Sequence, residues 1–353
     1  MNGFKFVLHF QDSQGDPESA VSAFGKQMDE GMKVSLGGTF SGETKSVVAA
    51  AAADDVMLLT PSASSVDSIK GNDKAFRVCF SDPSQGTASA KYIKDFELAT
   101  KVAVLYDSSN DYCQGLYDTF KTECAKLGIQ ILTVQTYTDT TNTDFSAQIA
   151  AIKESGAELV FLPIYYQPAS VIFSQAKAMG YEPTFFGVDG MDGILTLEGF
   201  DTSLAEDVMV LTPFSADAQD EQTKSFVEKY TKEYGEAPNQ FAADEYDVIY
   251  ALKAALEAAN CTPDMSNEEI CDALVSAFQS LTFDGLTGKG MTWNTEGEVS
   301  KMPAAVIIKN GTYVSAELEA AEEAPAEETE AAAEPEATAE AEAAAEPEAS
   351  PAA

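Results

Sequence analysis

The chain has 353 residues, a 45% apolar share and a formal charge of −37. That length suits two lobes better than one small domain. With 21 Lys and Arg against 58 Asp and Glu, and no basic cluster, the composition argues against nucleic acid or anionic lipid as a partner. No run of about eighteen apolar residues occurs, so no membrane span is expected.

The negative charge is uneven. From Glu317 onward there are thirteen Glu and no Lys or Arg, which leaves the body at about −24. Residues 316–353, dominated by Ala, Glu and Pro, are too polar and too low in complexity to bury anything and are expected to be a disordered tail. Cys79, Cys113, Cys124, Cys261 and Cys271 show neither zinc-ligand nor CxxC spacing. Cys261 and Cys271 bracket a short loop and could be joined, or could be buried free thiols.

In chain order, residues 4–10 alternate toward a strand, and Pro17 opens a helix running to Gly31. Strand 33–38, helix 43–55 and strand 56–61 follow, then a polar loop over 66–74, a strand over 75–80 and a helix from Ser84 to about Leu98. A second series starts at Lys101, with strands at 101–107, 129–135, 158–164, 184–188 and 208–213. Its helices at 111–127, 144–155 and 168–179 are closed by Gly128, Gly156 and Gly180. After Pro213 come helices at 219–234, 240–259 and 267–281, then short strands around Trp293 and over 304–309. Asn310-Gly311 reads as a hairpin turn. Near-continuously apolar strands alternating with helices mean parallel sheets covered on both faces. The expectation is α/β, as two units joined by crossings near 75–100 and 213–220.

Two stretches stand out. Val34 to Thr44 and Val56 to Ser65 each read as a buried strand followed by a turn of small hydroxyl residues and a helix start. Such helix starts offer unpaired N–H donors and a positive dipole end, which suits a carboxylate. Taken singly, either could be no more than a turn with its cap. Two in succession on adjacent strands point to a binding cleft. Catalysis has little material by comparison. His9 is the only histidine, and neither a Walker A lysine motif nor a GxGxxG after a strand is present. Asp189 and Asp192 could hold a hard metal ion, but few further ligands accompany them. No enzyme activity, cofactor or metal is expected.

The motifs in this order resemble the branched-chain amino-acid-binding proteins, the leucine-binding protein family of ABC importers with the type I periplasmic-binding-protein fold. The resemblance covers residues 4–314. It rests on Gln11 to Ala20, Leu36-Gly37-Gly38-Thr39-Phe40-Ser41, Thr60-Pro61-Ser62-Ala63-Ser64, Ser84-Gln85-Gly86 with Lys91-Tyr92-Ile93, Asp111 to Gly115, Asp144-Phe145-Ser146, Tyr165-Tyr166 and Gly187-Val188-Asp189-Gly190. It implies two Rossmann-like doubly wound lobes: 1–95 plus 214–287, and 96–213 plus 288–315. It further implies an extracytoplasmic amino-acid receptor, periplasmic or lipid-anchored, that closes on its ligand and serves an ABC permease. The alternative is a sensor of the same fold for an amino acid or small amide. Ser41, Ser64 and the backbone of Ser62 and Ala63 match the positions that hold the ligand's carboxylate. Asp189 matches a position usually occupied by Glu that pairs with the ammonium, and Tyr112 and Tyr165 match aromatic residues that close over the ligand. The chain departs from the family at its start, where the first strand and helix are missing. The expectation is a truncated chain whose missing piece would carry the export signal, of lipoprotein type. The acidic tail has no counterpart in the family pattern.

Overall fold

The computed structural model describes residues 3–316. Strands form where the sequence is apolar on both sides. β2 (Met57–Thr60), β6 (Leu159–Leu162) and β8 (Met209–Thr212) are buried at every residue. That pattern belongs to parallel strands sandwiched between helices. β2 lies between β1 (Val34–Ser35) and β3 (Ala75–Arg77) in a parallel three-stranded sheet.

The second sheet has seven strands. Its parallel part runs β5 (Gln130–Tyr137), β4 (Lys101–Asp107), β6, β7 (Thr184–Gly187), β8. It continues antiparallel through β9 (Ala304–Lys309) and β10 (Thr312–Ser315), joined at the expected Asn310-Gly311 turn. The tail expected over 316–353 lies outside the described residues apart from Ala316.

Helices start and stop where local chemistry sets their ends. α1 (Pro17–Asp29) has Pro in its first turn and is capped by Asp16, whose carboxylate accepts from the Ser19 N–H. α4 (Asp111–Leu127) is capped by Asn110 and ends on left-handed Gly128. α9 (Asn267–Phe278) opens with a reciprocal Ser266–Glu269 capping box. α2 (Ser41–Ala50), α5 (Ser146–Ser155), α6 (Tyr166–Ala178), α7 (Glu221–Tyr234) and α8 (Gln240–Ala258) fill the remaining predicted helices. α3 (Asp82–Asp95) starts two residues earlier than the sequence suggests, with Pro83 in its first turn.

The chain passes between the sheets three times. α3 makes the first passage, from β3 to β4, and packs tightly on α4: a Cβ at Gly86 would stand 2.1 Å from the Thr119 hydroxyl. The second follows β8 into α7 and α8. The third lies between residues 299 and 304, because Met291, Trp293 and Val299 pack with the first sheet while β9 pairs with β8. Residues 291–299 also buttress β3: Trp293 Nε1 donates to Arg77 O (2.7 Å), and Arg77 N donates to Gly297 O (3.0 Å).

Two sequence expectations need correction. Residues 4–10 form no strand. Phe4 and Phe6 pack on the core beside Val34 and Leu36, whereas Val7, Leu8 and Phe10 lie exposed. Alternation marks a half-buried segment, but a strand also requires a neighbour that accepts its hydrogen bonds. The segment around Trp293 is held by single bridges, Phe283 to Met291 and Trp293 to Val299, and not by full strands. All five cysteines are free and buried, Cys261 and Cys271 included.

Candidate functional site

Both serine turns lie at the carboxyl ends of their strands, where open α/β sheets bind ligands. They are tied to each other. The Ser41 hydroxyl accepts from Ser65 N–H (3.1 Å), and the Ser62 hydroxyl donates to Thr39 O (2.9 Å). The Thr60 hydroxyl donates to Gly38 O (2.7 Å) and accepts from Ala63 N–H (3.2 Å). Glu43 takes up part of the first turn's donor capacity, since its Oε1 accepts from Thr39 N–H (2.9 Å) and Phe40 N–H (3.0 Å). Donors therefore remain on both turns, the Ser41 and Gly42 N–H groups opening α2 among them. Among the described residues the Ser62 and Ser64 N–H groups have no hydrogen-bond partner. The buried hydroxyls of Ser64 and Thr44 are also unpartnered.

A guanidinium holds the second turn from behind. Fully buried Arg77 donates through Nη1 to Ala63 O (3.1 Å), and through Nη2 to Ser65 O (2.9 Å) and Glu298 Oε1 (3.0 Å). With two carbonyls fixed by a rigid fork, the peptide planes of the turn lose their freedom to rotate.

The opposite wall comes from the second sheet. Asp189 follows β7 and is buried. Its Oδ1 accepts from Tyr112 Oη (2.5 Å), Gln85 Nε2 (2.9 Å) and Gly190 N–H (2.8 Å), whereas Oδ2 accepts from none of the described residues. The Asp189 backbone is held as well. Its N–H donates to Gln85 Oε1 (2.6 Å) and its carbonyl accepts from Gln240 Nε2 (2.8 Å). Burial raises the Asp189 pKa above the usual carboxylate range, and the bonds from Tyr112 and Gln85 pull it back. Burial likewise pushes the Tyr112 and Tyr165 phenols well above 10, so both remain neutral donors.

Aromatic rings bring the two walls together. Tyr112 stacks on Tyr165 (centroids 4.9 Å apart, 19° between planes), and Tyr165 meets Phe40 edge-on at 5.1 Å. Ser41, Ser62, Ala63 and Ser64 thus gather on one wall, and Tyr112, Tyr165 and Asp189 on the other. Gly190 makes room for the stack: a Cβ there would stand 2.7 Å from Tyr112 Oη and 2.9 Å from Tyr165 Cδ1. Asp192, the other half of the candidate metal pair, is instead committed to the Gln240 and Gly193 N–H groups. Among the described residues no group of three or more His, Cys, Asp or Glu could hold a metal ion.

Sequence reasoning missed Gln85, Arg77, Glu43 and Gln240 as site residues. Arg77 carries a readable signal, a lone arginine inside the apolar run Ala75 to Phe80. Gln85 was visible only as part of a helix start that matches the family pattern, with no role of its own.

Residues 1–312 match the periplasmic binding protein family. The chain belongs to that family. As a periplasmic binding protein it is similar to the Leu/Ile/Val-binding protein homolog 1 of Brucella abortus, with 29% identity over 265 residues, which is 73% of this chain and 69% of that one. Its fold is similar to the crystal structure of a leucine binding protein from Thermotoga maritima (TM-score 0.77, 26% identity, 86% and 85% of the two chains). It is similar too to a branched-chain amino acid transporter substrate binding protein from Streptococcus pneumoniae in complex with isoleucine (TM-score 0.76, 25% identity, 86% and 84%). These likenesses establish the type I periplasmic-binding-protein fold for this chain. Among the described residues no helix is long and apolar enough to cross a membrane.

Proposed function

We propose that this binding protein captures a small amino acid outside the cytoplasm, with branched-chain side chains as the leading class, and delivers it to an ABC import permease. The observation that carries this reading is a complementary pair of ends. Buried donors at Ser62 and Ser64 lack partners, and a buried carboxylate on the opposite wall has one oxygen, Asp189 Oδ2, that accepts nothing from the described residues. An α-carboxylate meets the first set and an α-ammonium the second. Asp189 is one methylene shorter than the Glu usual in the family, so the ammonium sits closer to the second-lobe wall. Tyr112, Tyr165 and Phe40 cover the ligand and exclude water, which strengthens both charged contacts.

Names of the relatives support the ligand class, since the Brucella protein and the isoleucine-bound Streptococcus protein are both described by branched-chain amino acids. Lobe closure presents a new surface to the permease, and the ligand drives closure through its differential affinity for the closed state. The test is calorimetry on the full chain against the twenty amino acids and small amides. Binding of an aliphatic amino acid that is strongly weakened by both Ser41→Ala and Asp189→Ala supports the reading. Binding to none of the panel, or unchanged affinity in both variants, refutes it.

A further inference from the structure

We infer that Gln85 is a positioning residue for the amino end of this site, acting through Asp189. The inference deepens the function proposed above and rests on Asp189 receiving the ligand's ammonium.

Gln85 lies in the first turn of α3, the passage from the first sheet to the second, and is fully buried. Its amide grips one residue at two points: Nε2 donates to Asp189 Oδ1 at 2.9 Å, and Oε1 accepts from the Asp189 N–H at 2.6 Å. The backbone bond fixes which way the amide faces, and the side-chain bond then fixes how the carboxylate is turned. With Tyr112 and Gly190 on the same oxygen, Oδ1 carries three donors. The carboxylate cannot rotate to share its oxygens without breaking a buried bond, so Oδ2 stays available.

The choice of an amide has an electrostatic consequence. A Lys or Arg in this place would neutralise Asp189 and leave little for a ligand's cation to gain. Glutamine orients the carboxylate and leaves its charge uncompensated. The nearby lysine that acts on Asp189, Lys301, is itself bonded to Asp244 at 2.7 Å. The remaining charge thus favours a ligand that brings its own cation.

The experiment compares L-leucine with its α-hydroxy counterpart, (S)-2-hydroxy-4-methylpentanoate, by calorimetry on the full chain. The wild type, Gln85→Met, Asp189→Asn and the double variant are measured. Gln85→Met is expected to weaken leucine about tenfold or more while changing the hydroxy acid by less than about threefold. In the Asp189→Asn background the same change is expected to add little, because the group it positions has lost its charge. Equal losses on both ligands, or fully additive losses, would show that Gln85 merely ties the two walls together and would overturn the inference. If Gln85→Met does not fold, Gln85→Asn, too short to span both contacts, gives the same comparison. Where the wild type binds another amino acid of the panel, that acid and its α-hydroxy counterpart replace the leucine pair; a wild type that binds none of the panel ends the amino-acid reading and this inference with it. A Gln85→Met variant that keeps wild-type leucine affinity ends this inference alone.

Discussion

Phe40 and Tyr165 are 125 positions apart in the chain, yet their rings meet edge-on at 5.1 Å. Phe40 immediately precedes the Ser41 helix start, and Tyr165 precedes α6 of the second sheet. Phe40 is 38% exposed, so this ring pair joins the two walls near solvent more than it builds a core. An edge-to-face pair contributes roughly 0.5–1.5 kcal/mol beyond its area. Phe40→Ala should therefore weaken ligand binding about three- to tenfold, chiefly through faster release, with a much smaller effect on thermal stability. Stopped-flow release kinetics beside a melting curve would check this, and an unchanged release rate would exclude a closing role.

Gly190→Ala should disturb the site directly. The added methyl would stand 2.7 Å from Tyr112 Oη and 2.9 Å from Tyr165 Cδ1, so the stacked pair must shift and Asp189 loses its shortest hydrogen bond. Overpacking of this kind costs about 1–3 kcal/mol. Reduced stability together with weaker binding is the expected result. Full retention of both would show that the tyrosines can move freely.

Arg77→Met should be among the most damaging single changes in the first lobe. It leaves the carbonyls of Ala63 and Ser65 without their donor and strips Glu298 of its partner. Each carbonyl left without its donor costs about 1–3 kcal/mol, while Glu298, whose side chain is 27% exposed, adds less because water can reach it. Chemical denaturation would measure the loss, and a loss under about 1 kcal/mol would be inconsistent with the role given to the guanidinium.

The protein should be more stable near pH 5 than near pH 7.5. Burial raises Asp82 well above its ordinary value, and Asp192 and Asp244 to about 6. In the unfolded chain these acids ionise near pH 4, so between that value and their folded values the native state binds more protons. Stability therefore falls as pH rises through the window, and self-repulsion in a chain of formal charge −37 acts in the same direction. Below the ordinary carboxylate range the trend reverses. There the exposed acids Asp16, Asp144, Asp201 and Asp220, whose pKa values are lowered by bonds from Ser19, Ser146, Ser203 and Thr223, become protonated. Melting curves from pH 3 to pH 8 would reveal the maximum; a steady rise up to pH 8 would contradict it.

Asp82→Asn isolates one contributor. Neither oxygen of this fully buried carboxyl has a hydrogen-bond partner meeting ordinary geometry, although the neighbouring Ser64 hydroxyl lowers its pKa. A neutral isostere should raise the melting temperature at pH 7.5 by about 2 °C or more and flatten the decline above pH 5. A lower melting temperature at every pH would mean that the carboxylate is satisfied in solution.

Much of the fold was legible because burial on both faces leaves a plain mark. Runs such as Met57-Leu58-Leu59 or Leu159-Val160-Phe161-Leu162 can hardly be anything but covered strands, and Gly128 and Gly156 end their helices by the one conformation that suits them. Segment 4–10 was misread because alternation reports which side chains are buried and says nothing about whether a hydrogen-bonding neighbour exists. At the site, Ser41 and Ser64 could be picked out from turn chemistry, but their partners could not. Asp189 is bonded to residues 77 and 104 positions away. Nothing local in Ser84-Gln85-Gly86 distinguishes a solvated amide from one that orients a buried acid.

The three separate passages of chain between the sheets carry a mechanical consequence. A single linker would let the halves swivel and slide in any direction. Three linkers suppress sliding and twisting, because either motion would stretch one of them while slackening another. What remains soft is bending about a line through all three. Opening should therefore follow one reproducible arc, returning Phe40 to Tyr165 in the same register on every cycle.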